Sequence, residues 1–412
     1  MKKRLTKVAA AMFSCLMTVS LAACGGGGTG TGGASGGASE AAGGASSEAQ
    51  APAGDAAGSA DGGSITIAVA APMTGDNAEY GIGFANAAKL MASEWNEKGG
   101  VDIGGTAYTV NIQEYDDKSD SDEAALIAEK IVSDDSVYGV LGHFASGICM
   151  VAAPVYQEAG YVNISPTSSH ADYSGIGDYI FRNNTVISVE TATGAEIAIE
   201  FLGKKKVGVL SIDTEWGQSA GNAMEDNIAA KGGEMVLRQE VSADAVDFAT
   251  EIANFRAADA EVIMVAGMYG TLGPFVVALQ NSDYIVPVVG CSNAYTDNML
   301  SYSEQAPDIE IYAPVSFFAG NSNPAIQDYV AAYTSAYGSA PSALTTQAYD
   351  SVGIMLTALE AAGTLDREAM KDEIYNVQYD GMSGFTTFDS IGDAQKVFTK
   401  LTIRDGEWIL AD

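Results

Sequence analysis

Two runs of small hydroxyl residues are the best candidates for chemistry in this 412-residue sequence: Ser146-Gly147, and Ser165-Pro166-Thr167-Ser168-Ser169. A serine becomes a nucleophile only beside a general base. The sequence holds two histidines, His143 and His170, and neither stands at ligand spacing from another His or a Cys. Histidine-based catalysis and a zinc site therefore have little material. Gly33-Ala34-Ser35-Gly36-Gly37 matches the serine-hydrolase pattern G-x-S-x-G. It lies in low-complexity sequence without the strand and helix that a nucleophile elbow needs, so chance explains it. What the hydroxyls can do is hold an anion. A helix N-terminus presents unpaired backbone N–H groups and about half a positive charge, so a small hydroxyl residue there seats a carboxylate. An N-cap and a turn are the ordinary structural uses of the same residues. Two such loops together bring a ligand site level with those ordinary uses.

The elements around these loops fit a ligand site. Val137 to Leu141 reads as a buried strand stopped by Gly142, and the segment from about Ile148 to Ala159 has helical spacing, which puts Ser146 and Gly147 where a helix begins. Tyr161 to Ile164 is strand-like again, and the serines follow it. In a parallel sheet both loops lie at the carboxyl ends of neighbouring strands, where open α/β sheets bind ligands. Further Val/Ile-rich runs recur at Ile65–Ala70, Tyr108–Glu114, Lys206–Ile212, Glu234–Val241, Val262–Ala266 and Val286–Val289. Between them fall helical patterns such as Glu79–Asn96, with Phe84, Ala88, Met91 and Trp95 on one face, and Asp122–Ser133. This alternation predicts doubly wound parallel sheets. The pattern restarts after Arg182 to Val189, where we place a crossing between lobes. No Walker A sequence is present, and Gly81-Ile82-Gly83 lacks the third glycine of a dinucleotide fingerprint.

The amino-terminal part reads as an address. Lys2, Lys3, Arg4 and Lys7 precede an apolar run from Val8 to Leu21 and then Leu21-Ala22-Ala23-Cys24, a secretory signal whose last tetrad resembles a bacterial lipobox. That resemblance implies cleavage before Cys24 and acylation of its thiol, so residues 1–23 are a signal peptide and the protein sits outside the cytoplasmic membrane, held by lipid. Residues 24–63 are then anchor and tether: almost only Gly, Ala, Ser and Thr, with Glu40, Glu48, Asp55 and Asp61 and no Lys or Arg, a composition that cannot bury a core. The remaining body suffices for two lobes. The chain has 20 Lys and Arg against 53 Asp and Glu, a net charge of −33, and the four cations of the signal offset the four acids of the tether. So acidic a surface repels nucleic acid and anionic lipid. Cys149 and Cys291 stand far apart and define no disulfide framework.

In order along the body, ITIAVAAPMTGDNAEYGIGFANAAKLMASEWNEKGGV, EYDD, IVSDDSVYGVLGHFASG, ISPTSS, VGVLSIDTEWGQSAG and FATEIANFRAADAEVIMVAGMYGTLGPFV resemble the extracellular solute-binding proteins of branched-chain amino-acid ABC importers, the leucine/isoleucine/valine-binding family. Each motif alone is weak, but their order and spacing extend from Ile65 to Trp408. The resemblance implies a type I periplasmic-binding-protein fold: two α/β lobes with doubly wound parallel sheets, joined by three hinge crossovers near Val186, Pro314 and Ser390. The lobes would be 64–186 plus 315–389, and 187–314 plus 390–412. It implies a monomer that is not an enzyme, needs no cofactor or metal, closes on a small carboxylate-bearing solute, and delivers it to an ABC permease and ATPase.

Carried over position by position, Ser146 with Gly147 would bind the ligand carboxylate, and Ser168 and Ser169 would meet the carboxylate and α-ammonium. Tyr80 would cover the ligand side chain. From the second lobe, Trp216 in DTEWG stands where relatives usually have Tyr, and Tyr269 in GMYG matches a family Tyr. Ser292 is also expected in the site, but its loop departs from the family. Where relatives often place a Glu for the ammonium, this chain has Cys291-Ser292-Asn293. Because an unpaired buried ammonium costs several kcal/mol, either another acid such as Asp213 or Glu215 substitutes, or the ligand is not a standard α-amino acid but, for example, a small amide or aromatic acid. A sensor module for a membrane signalling partner is the nearest alternative, and an exported hydrolase the more distant one.

Overall fold

The computed structural model describes residues 62–411. The signal sequence, Cys24 and nearly all of the tether lie outside the described residues. The strongest apolar run forms β1 (Ser64–Ala71), in which every residue after Ser64 is buried, the mark of a central parallel strand. After it come α1 (Ala78–Glu97), β2 (Val101–Ile103), β3 (Thr106–Asp116), α2 (Ser121–Val132), β4 (Val137–Gly142), α3 (Ser146–Ala159), β5 (Asn163–Ser165) and β6 (Ile180–Arg182). They form a six-stranded sheet of order β2-β3-β1-β4-β5-β6, parallel except for the β2–β3 hairpin.

The chain then crosses to a second sheet through α4 (Ile187–Glu196), which runs on into a π-helical turn at Ile197–Phe201. There follow β7 (Lys206–Ile212), α5 (Glu215–Ala230), β8 (Glu234–Val241), α6 (Ala249–Ala257), β9 (Val262–Ala266), α7 (Tyr269–Asn281), β10 (Val288–Val289), α8 (Asp297–Gln305) and β11 (Ile311–Val315). After β11 it returns to the first lobe as α9 (Pro324–Tyr337), α10 (Ala343–Ala362), α11 (Arg367–Asn376) and the hairpin β12 (Tyr379–Gly381) and β13 (Gly384–Thr386). It crosses once more to β14 (Thr399–Arg404) and β15 (Glu407–Leu410), which add antiparallel to β11. The second sheet has the order β15-β14-β11-β10-β9-β7-β8. Three crossings therefore join the lobes, and Pro314 lies inside β11, so the second crossing begins only after Val315.

Almost every residue of α10 from Ala343 to Leu359 is buried, because the helix packs on α1, α11 and the first sheet rather than on one face alone. Its Asp350 accepts the N–H groups of Met382 (2.9 Å) and Ser383 (2.7 Å) and the Ser383 hydroxyl. Lys396 donates to that hydroxyl (3.1 Å) and to Thr386 Oγ1 (2.6 Å). Burial pushes Lys396 down to about 8, against the opposing pull of Asp350. Arg182, fully buried at the end of β6, donates through Nε to Asp393 and through Nη1 to the His170 carbonyl. The third crossing is thus anchored to the first lobe by two buried ionic groups.

Candidate functional site

The carboxyl ends of both sheets face one cavity of about 940 Å³. In the first lobe, β4 ends at Gly142 and its loop reaches α3, whose first residue is Ser146. His143, fully buried, holds that loop from below: Nδ1 lies 2.6 Å from Asp117 Oδ2 and Nε2 lies 3.1 Å from the Tyr156 hydroxyl. The His143 carbonyl accepts the hydroxyl of Ser165 (3.0 Å), and the Phe144 carbonyl accepts that of Thr167 (2.7 Å). Ser146 Oγ in turn accepts the backbone N–H of Ser169 (3.3 Å). The two hydroxyl loops are therefore locked to each other.

This interlocking leaves donors free for a ligand. No side chain caps α3, and Ser146, Gly147 and Ile148 of its first turn line the cavity. Ser169 Oγ is buried, has no partner, and belongs to a cavity-lining residue. An unpaired buried hydroxyl costs free energy unless something bound completes it. Opposite, Trp216 and Tyr269 sit in the first turns of α5 and α7, each just past a strand end, and both line the cavity.

Of the residues singled out in the sequence, Ser146, Gly147, Ser169, Trp216, Tyr269 and Ser292 meet on the cavity wall. Tyr80 and Ser168 do not. Tyr80 is 3% exposed and stacks behind Phe144, with ring centroids 4.5 Å apart, so Phe144 takes the wall position. Ser168 is fully buried, its N–H donated to Ser165 Oγ (2.9 Å) and its own hydroxyl unpartnered. Tyr80 serves the site differently: its hydroxyl donates to the Asn293 carbonyl of the second lobe (3.2 Å). Beside it Asn298 donates to Glu79 (2.6 Å), and on the opposite rim His170 Nε2 meets Glu215 Oε1 at 3.1 Å. The lobes touch on both sides of the cavity.

The sequence offered Asp213 and Glu215 as substitute acids. Asp213 is exposed, off the wall, and accepts the Ala243 N–H (3.2 Å), while Glu215 is engaged with His170 at the rim. The acid deep in the wall is Glu190, in the first turn of α4. It is 4% exposed, and its Oε1 accepts the backbone N–H of Ser292. Burial pushes its carboxyl up, against that hydrogen bond. Sequence reasoning passed over it. The available signal was an acid within the otherwise small and apolar run Val186-Ile187-Ser188-Val189-Glu190-Thr191-Ala192. Asn293 Oδ1, also on the wall, is buried without a partner. Among the lining residues the acids are Asp76, Glu190, Glu215 and Asp244, and no Lys, Arg or His is present.

Comparison with known proteins agrees with this architecture. The model of the periplasmic binding protein family matches residues 64–403. The chain is 26% identical over 236 residues to an amino acid binding protein of Pseudomonas aeruginosa, covering 57% of this chain and 62% of that protein. It is 25% identical over 333 residues to Leu/Ile/Val-binding protein homolog 1 of Brucella suis, covering 80% and 87%. Among solved structures it resembles an ABC transporter substrate-binding protein from Desulfitobacterium hafniense in complex with Leu, at 25% identity, TM-score 0.71, and 84% and 100% coverage. A solute-binding protein from R. palustris in complex with benzoate shares the fold at 17% identity, TM-score 0.75, and 84% and 95% coverage. With the family model matched over nearly the whole described body, the chain belongs to the periplasmic binding protein family as a non-enzymatic, extracytoplasmic solute-binding protein of the branched-chain amino-acid ABC transporter type.

Proposed function

We propose that the protein captures a small amino acid of the branched-chain or hydrophobic type by hinge closure and delivers it to an ABC permease and ATPase. The observation that carries this reading is the uncapped N-terminus of α3 beside the unpartnered Ser169 hydroxyl, a carboxylate seat inside a cavity whose opposite wall is aromatic. The carboxylate lies on Ser146, Gly147 and Ser169, and the side chain lies among Phe144, Trp216 and Tyr269. The carboxylate seat belongs to loops that follow β4 and β5 of the first sheet, and the two outer aromatics to helices that follow β7 and β9 of the second. Ligand contacts are then greater when the lobes meet, which shifts the population towards closure. Aromatic acids are the second candidate class, since the rings would also stack on a benzoate. A thermal-shift screen of the purified protein against amino acids, small amides and benzoates separates the classes, because a ligand at 100 times its Kd stabilises by about 2.7 kcal/mol. A rise with leucine, isoleucine or valine, together with a smaller radius of gyration and changed Trp216 emission, is expected. Stabilisation by benzoates alone would move the reading to aromatic acids.

Anchoring through Cys24 completes the proposal, motivated by Leu21-Ala22-Ala23-Cys24 and the Gly-rich stretch after it. Labelled fatty acid should enter the wild type and not Cys24→Ser, which should appear in the soluble fraction. Absence of label in the wild type would remove the anchor.

A further inference from the structure

Glu190 is a buried acid in the cavity wall that no charged partner satisfies among the described residues. Its Oε1 takes one backbone N–H, that of Ser292, and the wall offers no Lys, Arg or His. The elements packed on α4 include α5 and β11, and in the cavity wall α5 contributes Glu215, already turned to His170, and Trp216. From the loop after β10 comes Cys291, whose thiol is pushed up by burial and then by Glu190 itself. Lys231 and Lys400, the cations paired to α4, are both taken by Glu196 in its last turn, and Lys231 also by Glu200. A carboxylate in such a place is costly unless it holds a proton or receives a cation from outside. In the same loop as Ser292, the wall residue Asn293 has a buried Oδ1 without any donor. Glu190 thus has the Ser292 N–H but no cation, and Asn293 Oδ1 has no donor at all.

Resting on the amino-acid reading of the site, we propose that Glu190 is the specificity-determining seat for the ligand's ammonium group, and that it exchanges its own proton for that group on binding. In the free protein the carboxyl is protonated. The entering ligand is a zwitterion, one ammonium and one carboxylate. Its carboxylate meets the Ser146–Ser169 seat, Glu190 ionises beside the ammonium, and the carboxyl proton leaves to solvent. The products are an ion pair in the cavity and one released proton, so charge and protons balance. The ammonium seat thus sits on the helix that opens the second lobe, not in the Cys291-Ser292-Asn293 loop where the family resemblance locates it. A carboxylate without an ammonium gains nothing from Glu190 and meets its proton unchanged, which sets amino acids apart from benzoates in this cavity.

The test uses L-leucine and benzoate as probes of the wild type and of Glu190→Gln, which keeps an oxygen for the Ser292 N–H. Calorimetry of L-leucine in two buffers of different ionisation enthalpy, across about pH 5 to 8, should show close to one proton released per ligand on the acidic side. Affinity should rise there about tenfold per pH unit. In Glu190→Gln the proton release should vanish and L-leucine should bind at least tenfold more weakly, while benzoate binding, if present, should not weaken. Infrared difference spectra should show a protonated carboxyl stretch in the ligand-free wild type that is absent from Glu190→Gln and disappears when L-leucine saturates the site. L-leucine binding to Glu190→Gln with wild-type affinity or wild-type proton release overturns the assignment, as does a missing carboxyl band in the free protein. Failure of every amino acid to bind a folded wild type is a different result: it removes the amino-acid reading and this inference with it.

Discussion

The two serines of the carboxylate seat should behave oppositely when each is replaced by alanine, because their hydroxyls do different things before ligand arrives. Ser146 Oγ already accepts the Ser169 N–H at 3.3 Å, and both residues are buried, at 3% and 2% exposure. Ser146→Ala leaves that N–H without an acceptor, which costs about 1–3 kcal/mol of stability in the ligand-free protein. Ser169 Oγ has no partner, so Ser169→Ala removes a polar group that folding has desolvated for no return. Its ligand-free stability should stay within about 0.5 kcal/mol of wild type or exceed it. In the complex the same hydroxyl donates to a carboxylate, a charge-assisted bond worth about 1.5–3 kcal/mol. At about 1.4 kcal/mol per decade, Ser169→Ala should weaken binding by about 10- to 150-fold. Urea midpoints without ligand and calorimetric affinities with L-leucine give the two quantities separately. If Ser169→Ala destabilises the free protein as much as Ser146→Ala, the hydroxyl is structurally satisfied. If it leaves affinity unchanged, the anion is held elsewhere. Either outcome refutes the division of labour.

Two further expectations concern the scaffold. Lys396→Met removes the buried cation that reaches Asp350 through the Ser383 hydroxyl while Asp350 keeps its bonds to Met382 and Ser383, so it should cost about 1–3 kcal/mol, with part of the loss regained in Asp350→Asn/Lys396→Met; a single variant as stable as wild type would show the charge to be idle. Asp178 accepts from Gln157 Nε2 (3.0 Å) and pairs with Lys371 (3.2 Å), joining α3 to α11. The Gln157 bond, with Lys371 outweighing a cost of burial, holds its carboxyl below the usual range. The stabilisation is therefore present above the unfolded value of about 3.9 and fades as pH falls through the lower folded value. Asp178→Asn should lose less stability than wild type on acidification below about pH 4, and parallel acid titrations of the two proteins would remove Asp178 from the account.

Much of this architecture could be read before any coordinates. β1, β4, β7 and β9 are continuous apolar runs because both faces of a central parallel strand are covered, so composition alone marks them. Not every short strand could be found in that way. β2 and β6 have three residues each, too few for any period to show, whereas β10, with two, is marked by the apolar run Val286–Val289. β14 and β15 carry charged and apolar residues together because they lie at a sheet edge, and such runs do not stand out from loops. The site divides in the same way. Ser146 and Ser169 were legible because loop position follows from strand order. The layer occupied by Tyr80 was not, since Phe144 decides it. Glu190 was hidden for a similar reason: the backbone N–H it accepts is that of Ser292, 102 positions further along.

The path of the chain also governs how it can be made. All six strands of the first sheet are present once residue 182 has been reached, yet α10, the buried centre of that lobe, begins at Ala343. β11 in turn stays an open edge until residues 399–410 arrive to cover it with β14 and β15. A chain threaded outward from its amino end can therefore complete neither core until more than three-quarters of it has passed. Premature termination between β11 and β14 would release a molecule with an unpaired edge strand, and such a product should aggregate or be degraded rather than persist as a half-working receptor.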